Sequence, residues 1–171
     1  LKREEVNEFI KKLDQDDRKI LRRKGIKIGR YHIFLHRIFK PSAVSIRILL
    51  WKNFFRNNLK LTPPKFGLNF IELKENVDSK FMLICGFEKF NNYFIRIDIL
   101  ERLFVSIMEK VKDSKIKLDS AMLNLLGCTK ENFVKLIKLM HYKVEEKDNE
   151  GEIYFKYMPK KHKNKKFIVK E

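Results

Sequence analysis

Residues 98–158 run DILERLFVSIMEKVKDSKIKLDSAMLNLLGCTKENFVKLIKLMHYKVEEKDNEGEIYFKYM, and their periodicity carries most of the architecture. Asp98, with Glu101 three residues on, reads as a capping pattern that opens a helix. The buried face of that helix runs through Leu100, Leu103, Phe104 and Ile107. KIKL at 115–118 adds a short strand. Asp119 then caps SAMLNLL, Gly127 stops it, and Thr129 caps KENFVKLIKLM. Residues 141–146 and 152–158 flank the polar turn KDNEG and read as a hairpin.

Helix, short strand, helix, tight turn, helix and hairpin is the order of elements in a winged helix-turn-helix. A unit of this kind also serves purely as a protein-docking domain, so topology alone does not assign a role. Upstream, DSKFMLIC (78–85) is a short helix stopped at Gly86, and FEKF and YFIRI pair around Asn91 and Asn92, which tolerate the positive φ of a tight turn. Residues 57–70, with Pro63, Pro64 and Gly67, form the best linker in the chain. Before it, Pro41 suits the first turn of a helix, and SAVSIRILLWKNFFRN continues it. Val44, Ile48, Trp51 and Phe55 form one apolar stripe there and Ile46, Leu49, Leu50 and Phe54 another, with a narrow polar edge at Ser45, Lys52 and Arg56. Two stripes predict a mostly buried helix, because a membrane-surface helix shows a single apolar face. IKIGRYHIFL (26–35) alternates like one strand with a bulge or close approach at Gly29. Val6, Phe9, Ile10, Leu13, Ile20 and Leu21 mark an opening helix, broken near 14–17 and stopped at Gly25.

The expected fold class is therefore α+β and mainly helical. A basic helix-strand-helix segment spans 1–62, a linker 63–71, a hairpin plus winged-helix-like domain 72–158, and a Lys-rich tail at 159–171 is expected to be disordered. The chain begins at Leu1 within a helical pattern, which reads as an excerpt of a longer polypeptide. No apolar run approaches the roughly 20 residues that cross a bilayer, so a soluble, cytoplasmic protein without a membrane partner is expected. Cys85 and Cys128 lack metal-ligand spacing and read as buried thiols.

The formal net charge of +17 is unevenly distributed. Residues 18–71 hold fourteen Lys or Arg and no acid, whereas 72–158 hold fifteen of each sign. Uncompensated like charges repel, and a polyanion that sheds its counter-ions is the natural partner. Arg22, Arg23, Lys24, Lys27, Arg30, Arg37 and Lys40 form the densest cluster, interleaved with Tyr31, Phe34 and Phe39. Arginine forks grip phosphate and an exposed ring stacks on a base, so the mixture suits single-stranded nucleic acid. The plainer reading makes Phe34 and Phe39 core and the cations a solvated face. Lys130, Lys135 and Lys138 lie beside Glu131 on the last helix without an arginine, which equips that helix poorly for reading bases.

No phosphate-binding G-x-x-x-x-G-K-[ST] loop, G-x-G-x-x-G turn, H-E-x-x-H helix or G-x-S-x-G elbow occurs. No catalytic residue, cofactor or metal site is expected in this chain. His32 and His36 are four apart, but their strand-like, basic surroundings hold no carboxylate to complete a metal site.

Three runs carry a resemblance: RRKGIKIGRYHIFLHRIFKPSAVSIRILLW (22–51), GFEKFNNYFIRIDILERL (86–103) and LLGCTKENFVKLIKLMHYKV (125–144). In this order they resemble the region that follows the helicase core in alpha-proteobacterial relatives of the mitochondrial degradosome RNA helicase, a superfamily-two, DExH-type enzyme. The resemblance implies a parent that unwinds RNA or DNA with ATP and Mg, both held by the helicase core, and an accessory, non-catalytic C-terminal region here. Gly25, Gly29, Lys40, Pro41, Arg47 and Trp51 fall within the matching pattern, which leaves Lys40 and Arg47 as strand contacts. The expected nucleic-acid-binding set is Arg22, Arg23, Lys24, Lys27, Arg30, Tyr31, Arg37, Lys40, Arg47, Lys52 and Arg56. The expected partners are RNA or single-stranded DNA and the helicase core of the same polypeptide. The alternative is a protein-interaction module of an RNA-processing complex, docking a nuclease or ribosomal partner.

Overall fold

The computed structural model describes residues 1–55, 61–73, 77–111, 115–146 and 152–158. A 3-10 turn at Arg3–Val6 leads into α1 (Asn7–Lys12), and the chain then breaks where the Asp14 carboxylate accepts a hydrogen bond from the Asp17 N–H. That cap opens α2 (Gln15–Arg23), and Gly25 at φ 83° stops it, so the expected break and stop are both present.

IKIGRYHIFL differs from expectation. It folds as a hairpin of β1 (Ile26–Ile28) and β2 (Ile33–Leu35), pairing Ile26 with Leu35 and Ile28 with Ile33. The turn at 29–32 is held by a carboxylate far away in sequence, which no local alternation reveals. The N-terminus lies along the hairpin: Arg3 N–H donates to the Tyr31 carbonyl, and Ile33 N–H to that of Leu1.

A second 3-10 turn, His36–Phe39, precedes α3 (Pro41–Phe54). Val44 and Ile48 of α3 are buried among Phe81, Met82, Cys85, Phe87 and Phe94. The second stripe is not buried: Ile46, Leu49, Leu50 and Phe54 are all exposed, because α3 packs on its neighbours through one face only. β3 (Phe70–Glu72) follows, then α4 (Ser79–Ile84), capped by Asp78. β4 (Phe87–Phe90) and β5 (Tyr93–Arg96) form the expected hairpin, with Asn91 at φ 54°. The sheet is antiparallel in the order β3-β5-β4.

β5 is buried on both faces. Tyr93 and Ile95 join the core of the C-terminal helices, and Phe94 between them joins the core under α3 and α4. The small sheet thus separates two helical layers, with apolar residues from both sides of Pro63 and Pro64 sharing the second core.

β5 runs directly into α5 (Ile97–Glu109), so the expected cap at Asp98 is not used. Arg96 is the N-cap residue, and no turn remains in which a capping box would form. β6 (Ile116–Lys117), α6 (Ser120–Leu126) and α7 (Lys130–Leu139) follow, with Asp119 and Thr129 as caps and Gly127 at φ 69°. β7 (Tyr142–Glu146) and β8 (Ile153–Tyr157) close a second three-stranded antiparallel sheet, ordered β6-β8-β7. Leu100, Leu103, Ile107, Met122, Leu126, Phe133, Leu136, Ile137 and Phe155 pack between these helices and that sheet.

The molecule is α+β, with seven α-helices and small antiparallel sheets among the described residues. Helix, strand, helix and hairpin follow one another at α3-β3-α4-β4-β5, and α5-β6-α6-α7-β7-β8 has the same order with a second helix before the hairpin, each sheet placing its last strand in the middle. Among the described residues no helix is long and apolar enough to cross a membrane. The tail at 159–171 lies outside the described residues.

Candidate nucleic-acid interface

One buried carboxylate fixes the basic hairpin in place. Glu101, in the second turn of α5 and 7% exposed, accepts hydrogen bonds from the backbone N–H groups of Arg30, Tyr31 and His32, the latter two at 2.7 Å. A carboxylate this enclosed is tolerable only when its lone pairs are filled, and three converging amides fill them. Gly29 is required by proximity: a Cβ there would stand 2.3 Å from the Glu101 carboxylate. Arg3 closes the turn, its guanidinium donating to the Gly29 carbonyl at 2.7 Å.

His32 lies beneath, 2% exposed, with Nε2 2.9 Å from Glu88 Oε2 and Nδ1 3.7 Å from Glu101 Oε1. Lys2 Nζ donates to the other Glu88 oxygen at 2.9 Å. Burial alone would lower the imidazole pKa, but the neighbouring carboxylates of Glu101 and Glu88 outweigh it and hold His32 above the ordinary histidine value. Burial likewise opposes ionisation of Glu88, yet His32 and Lys2 pull its pKa below the ordinary carboxylate value.

With the hairpin docked, a cleft of about 1110 Å³ opens between α2, β1, the 29–30 turn and α5. Ile28, Phe34, Phe104 and Val105 supply its apolar wall, and Arg3, Arg18, Arg22, Lys27, Arg30 and Arg102 its cations. Several of these cations are pre-positioned. Arg18 donates to the Leu13 and Ile10 carbonyls at 3.2 and 3.0 Å, and Arg22 to the Arg18 carbonyl at 3.2 Å. The Arg30 guanidinium lies 5.7 Å from the Phe104 ring centre. The two cleft carboxylates are already engaged, Glu101 by the amides and Asp98 by Arg96 at 2.7 Å. Among the described residues, no Lys or Arg between 18 and 55 forms a salt bridge.

Of the residues expected from sequence, Arg22, Lys27 and Arg30 line the cleft. Arg23 and Lys24 are exposed at the end of α2, Arg37 is exposed in the 3-10 turn, and Lys40 is the exposed N-cap residue of α3. Tyr31 is half-buried, edge-on to Phe104 at 5.9 Å, and burial pushes its hydroxyl pKa up to about 12. Arg47 and Lys52 turn elsewhere, toward the Leu83 and Leu61 carbonyls at 3.5 and 3.4 Å. Arg56 lies outside the described residues.

Arg3, Arg18, Arg102 and Phe104 were not expected. Arg18 begins the acid-free segment, which was a usable signal, whereas Arg102 sits in a segment of balanced charge that offers none. The two histidines occupy different settings, His32 buried against Glu88 and His36 exposed with Nδ1 3.9 Å from Asp98. Cys85 and Cys128 are free thiols whose pKa burial pushes up to about 11. Comparison of the chain with protein-family models, curated proteins and solved structures finds no match.

Proposed function

We propose that this chain is the non-catalytic, nucleic-acid-binding C-terminal region of an ATP-dependent RNA or DNA helicase, and that its cation-lined cleft guides a single strand. The observation that carries this reading is the gathering of Arg3, Arg18, Arg22, Lys27, Arg30 and Arg102 around one cleft whose carboxylates are occupied by other groups. Cations in such a groove track a phosphate chain, and the neighbouring Phe104 offers apolar surface to a base. A duplex groove reader would need a helix with base-reading side chains. In the α5–β8 half, which we read as a winged helix-turn-helix, α7 offers Lys130, Lys135 and Lys138 beside Glu131 and no arginine. The helicase parent is supported by the resemblance of 22–51, 86–103 and 125–144, with ATP and Mg assigned to the parent's core and a cytoplasmic setting implied.

The test is an anisotropy titration of labelled single-stranded RNA and DNA at several salt concentrations. Affinity should fall steeply with salt, by roughly 0.7 in log K per log salt for each phosphate contacted. Replacing Arg22, Lys27 and Arg30 together with Gln should flatten that slope by about 2. Binding that ignores salt, or that survives the triple substitution unchanged, would refute the proposal.

A further inference from the structure

The ring of His32 is enclosed between two carboxylates from different elements, Glu88 of β4 and Glu101 of α5. Nε2 lies 2.9 Å from Glu88 Oε2, whereas the buried Nδ1 has no hydrogen-bond partner and lies 3.7 Å from Glu101 Oε1. This arrangement fits one ionisation state. Either neutral tautomer turns a ring lone pair on a carboxylate oxygen and is repelled, while the imidazolium directs an N–H at each. Lys2 Nζ pairs with the second Glu88 oxygen and so leaves the Glu101 side of the ring to His32 alone.

Glu101 also belongs to the cation-lined cleft. Its Oε1 accepts the Tyr31 and His32 N–H groups, its Oε2 accepts that of Arg30, and the carboxylate lines the cleft wall. A negative charge therefore stands where a phosphate would approach, and the imidazolium beneath offsets it. We propose that His32 is a proton-operated control of the cleft. Protonated, it offsets the Glu101 charge and steadies the turn that carries Arg30; deprotonated, it leaves that charge to repel the phosphates of a bound strand. This inference rests on the strand-binding reading above and adds its regulation. Burial opposes the charged ring, but the two carboxylates outweigh it and place the titration above the ordinary histidine value, so strand affinity is highest below that point and falls as pH rises through it. Coupling between two sites is reciprocal, so a bound strand must in turn hold the His32 proton more tightly. The competing group is His36, which lines the same cleft, is exposed, and has Nδ1 3.9 Å from Asp98.

The test measures binding of a labelled single-stranded oligodeoxyadenosine by the full chain at constant ionic strength, from about pH 6 to about pH 9, where phosphodiesters keep their charge and lysines stay protonated. Affinity should fall by about five-fold or more across the range. His32→Gln should bind without that pH dependence, and His36→Gln should retain it. Because a substitution at a buried site can unfold the chain, the histidine ring protons of the unsubstituted protein are also titrated by NMR, where the strand should move the His32 midpoint to higher pH. Salt-sensitive binding that is flat across pH, a pH dependence that persists in His32→Gln or disappears in His36→Gln, or a His32 midpoint that the strand leaves unmoved would each overturn this proposal while leaving the strand-binding reading in place. Absence of binding at every pH would overturn both.

Discussion

Glu101 shows how one side chain determines where a charged segment sits. Its oxygens take the amides of Arg30, Tyr31 and His32, so the turn that carries Arg30 stays against α5 only while Gly29 leaves room. Gly29→Ala should therefore destabilise the fold by about 2–3 kcal/mol in urea unfolding, since a methyl group there pushes the Glu101 carboxylate off the three amides that hold it. Lys27→Ala in the same hairpin should stay within about 0.5 kcal/mol, because Lys27 is exposed. The network below Glu101 makes stability depend on pH in two opposite senses. His32 has a folded pKa above 6.5, so its contribution is fully present below pH 6.5 and is lost as pH rises through the folded value. Glu88 has a folded pKa below 4.5, so its contribution is present above pH 4.5 and is lost as pH falls through the folded value. Urea midpoints measured across this range should decline on both sides, and His32→Gln should remove the decline on the alkaline side.

Among the elements, β5 bears the heaviest packing. Phe94 is 1% exposed and faces α3 and α4, while Ile95, fully buried, faces α5. A short continuous apolar run is the signature of a strand covered on both faces, and YFI at 93–95 is such a run as well as half of a hairpin. Phe94→Ala should cost about 3–5 kcal/mol in denaturant unfolding, and a much smaller loss would mean that β5 is not the shared layer. α3 teaches the converse. Its two stripes look alike in sequence, yet only Val44, Ile48 and Trp51 of the first pack against the core, while Phe55 and the whole second stripe stay exposed, because burial depends on whether another element lies opposite and not on the helix's own composition.

At the scale of the whole molecule, charge opposes folding. The acid-free segment at 18–71 is folded against the balanced remainder, and none of its described Lys or Arg side chains is neutralised by a salt bridge. Screening should therefore help: the melting temperature in calorimetry should rise as salt increases from about 20 mM to about 300 mM, where the Debye length contracts from roughly 20 Å to below 10 Å. A fall would mean that attraction between opposite charges dominates. The sequence by itself determined the elements whose signals are local. Asp14, Asp78, Asp119 and Thr129 cap helices within three residues of themselves, and Gly25, Gly86 and Gly127 take the positive φ that ends or follows them. It also determined that the cations would be concentrated in one segment. Only the tertiary structure decided which of those cations face one cleft, that IKIGRYHIFL turns back on itself, and that half of α3 stays uncovered. Each of these depends on groups distant in sequence, such as Glu101 some 70 residues from the amides it holds, and local periodicity carries no record of them.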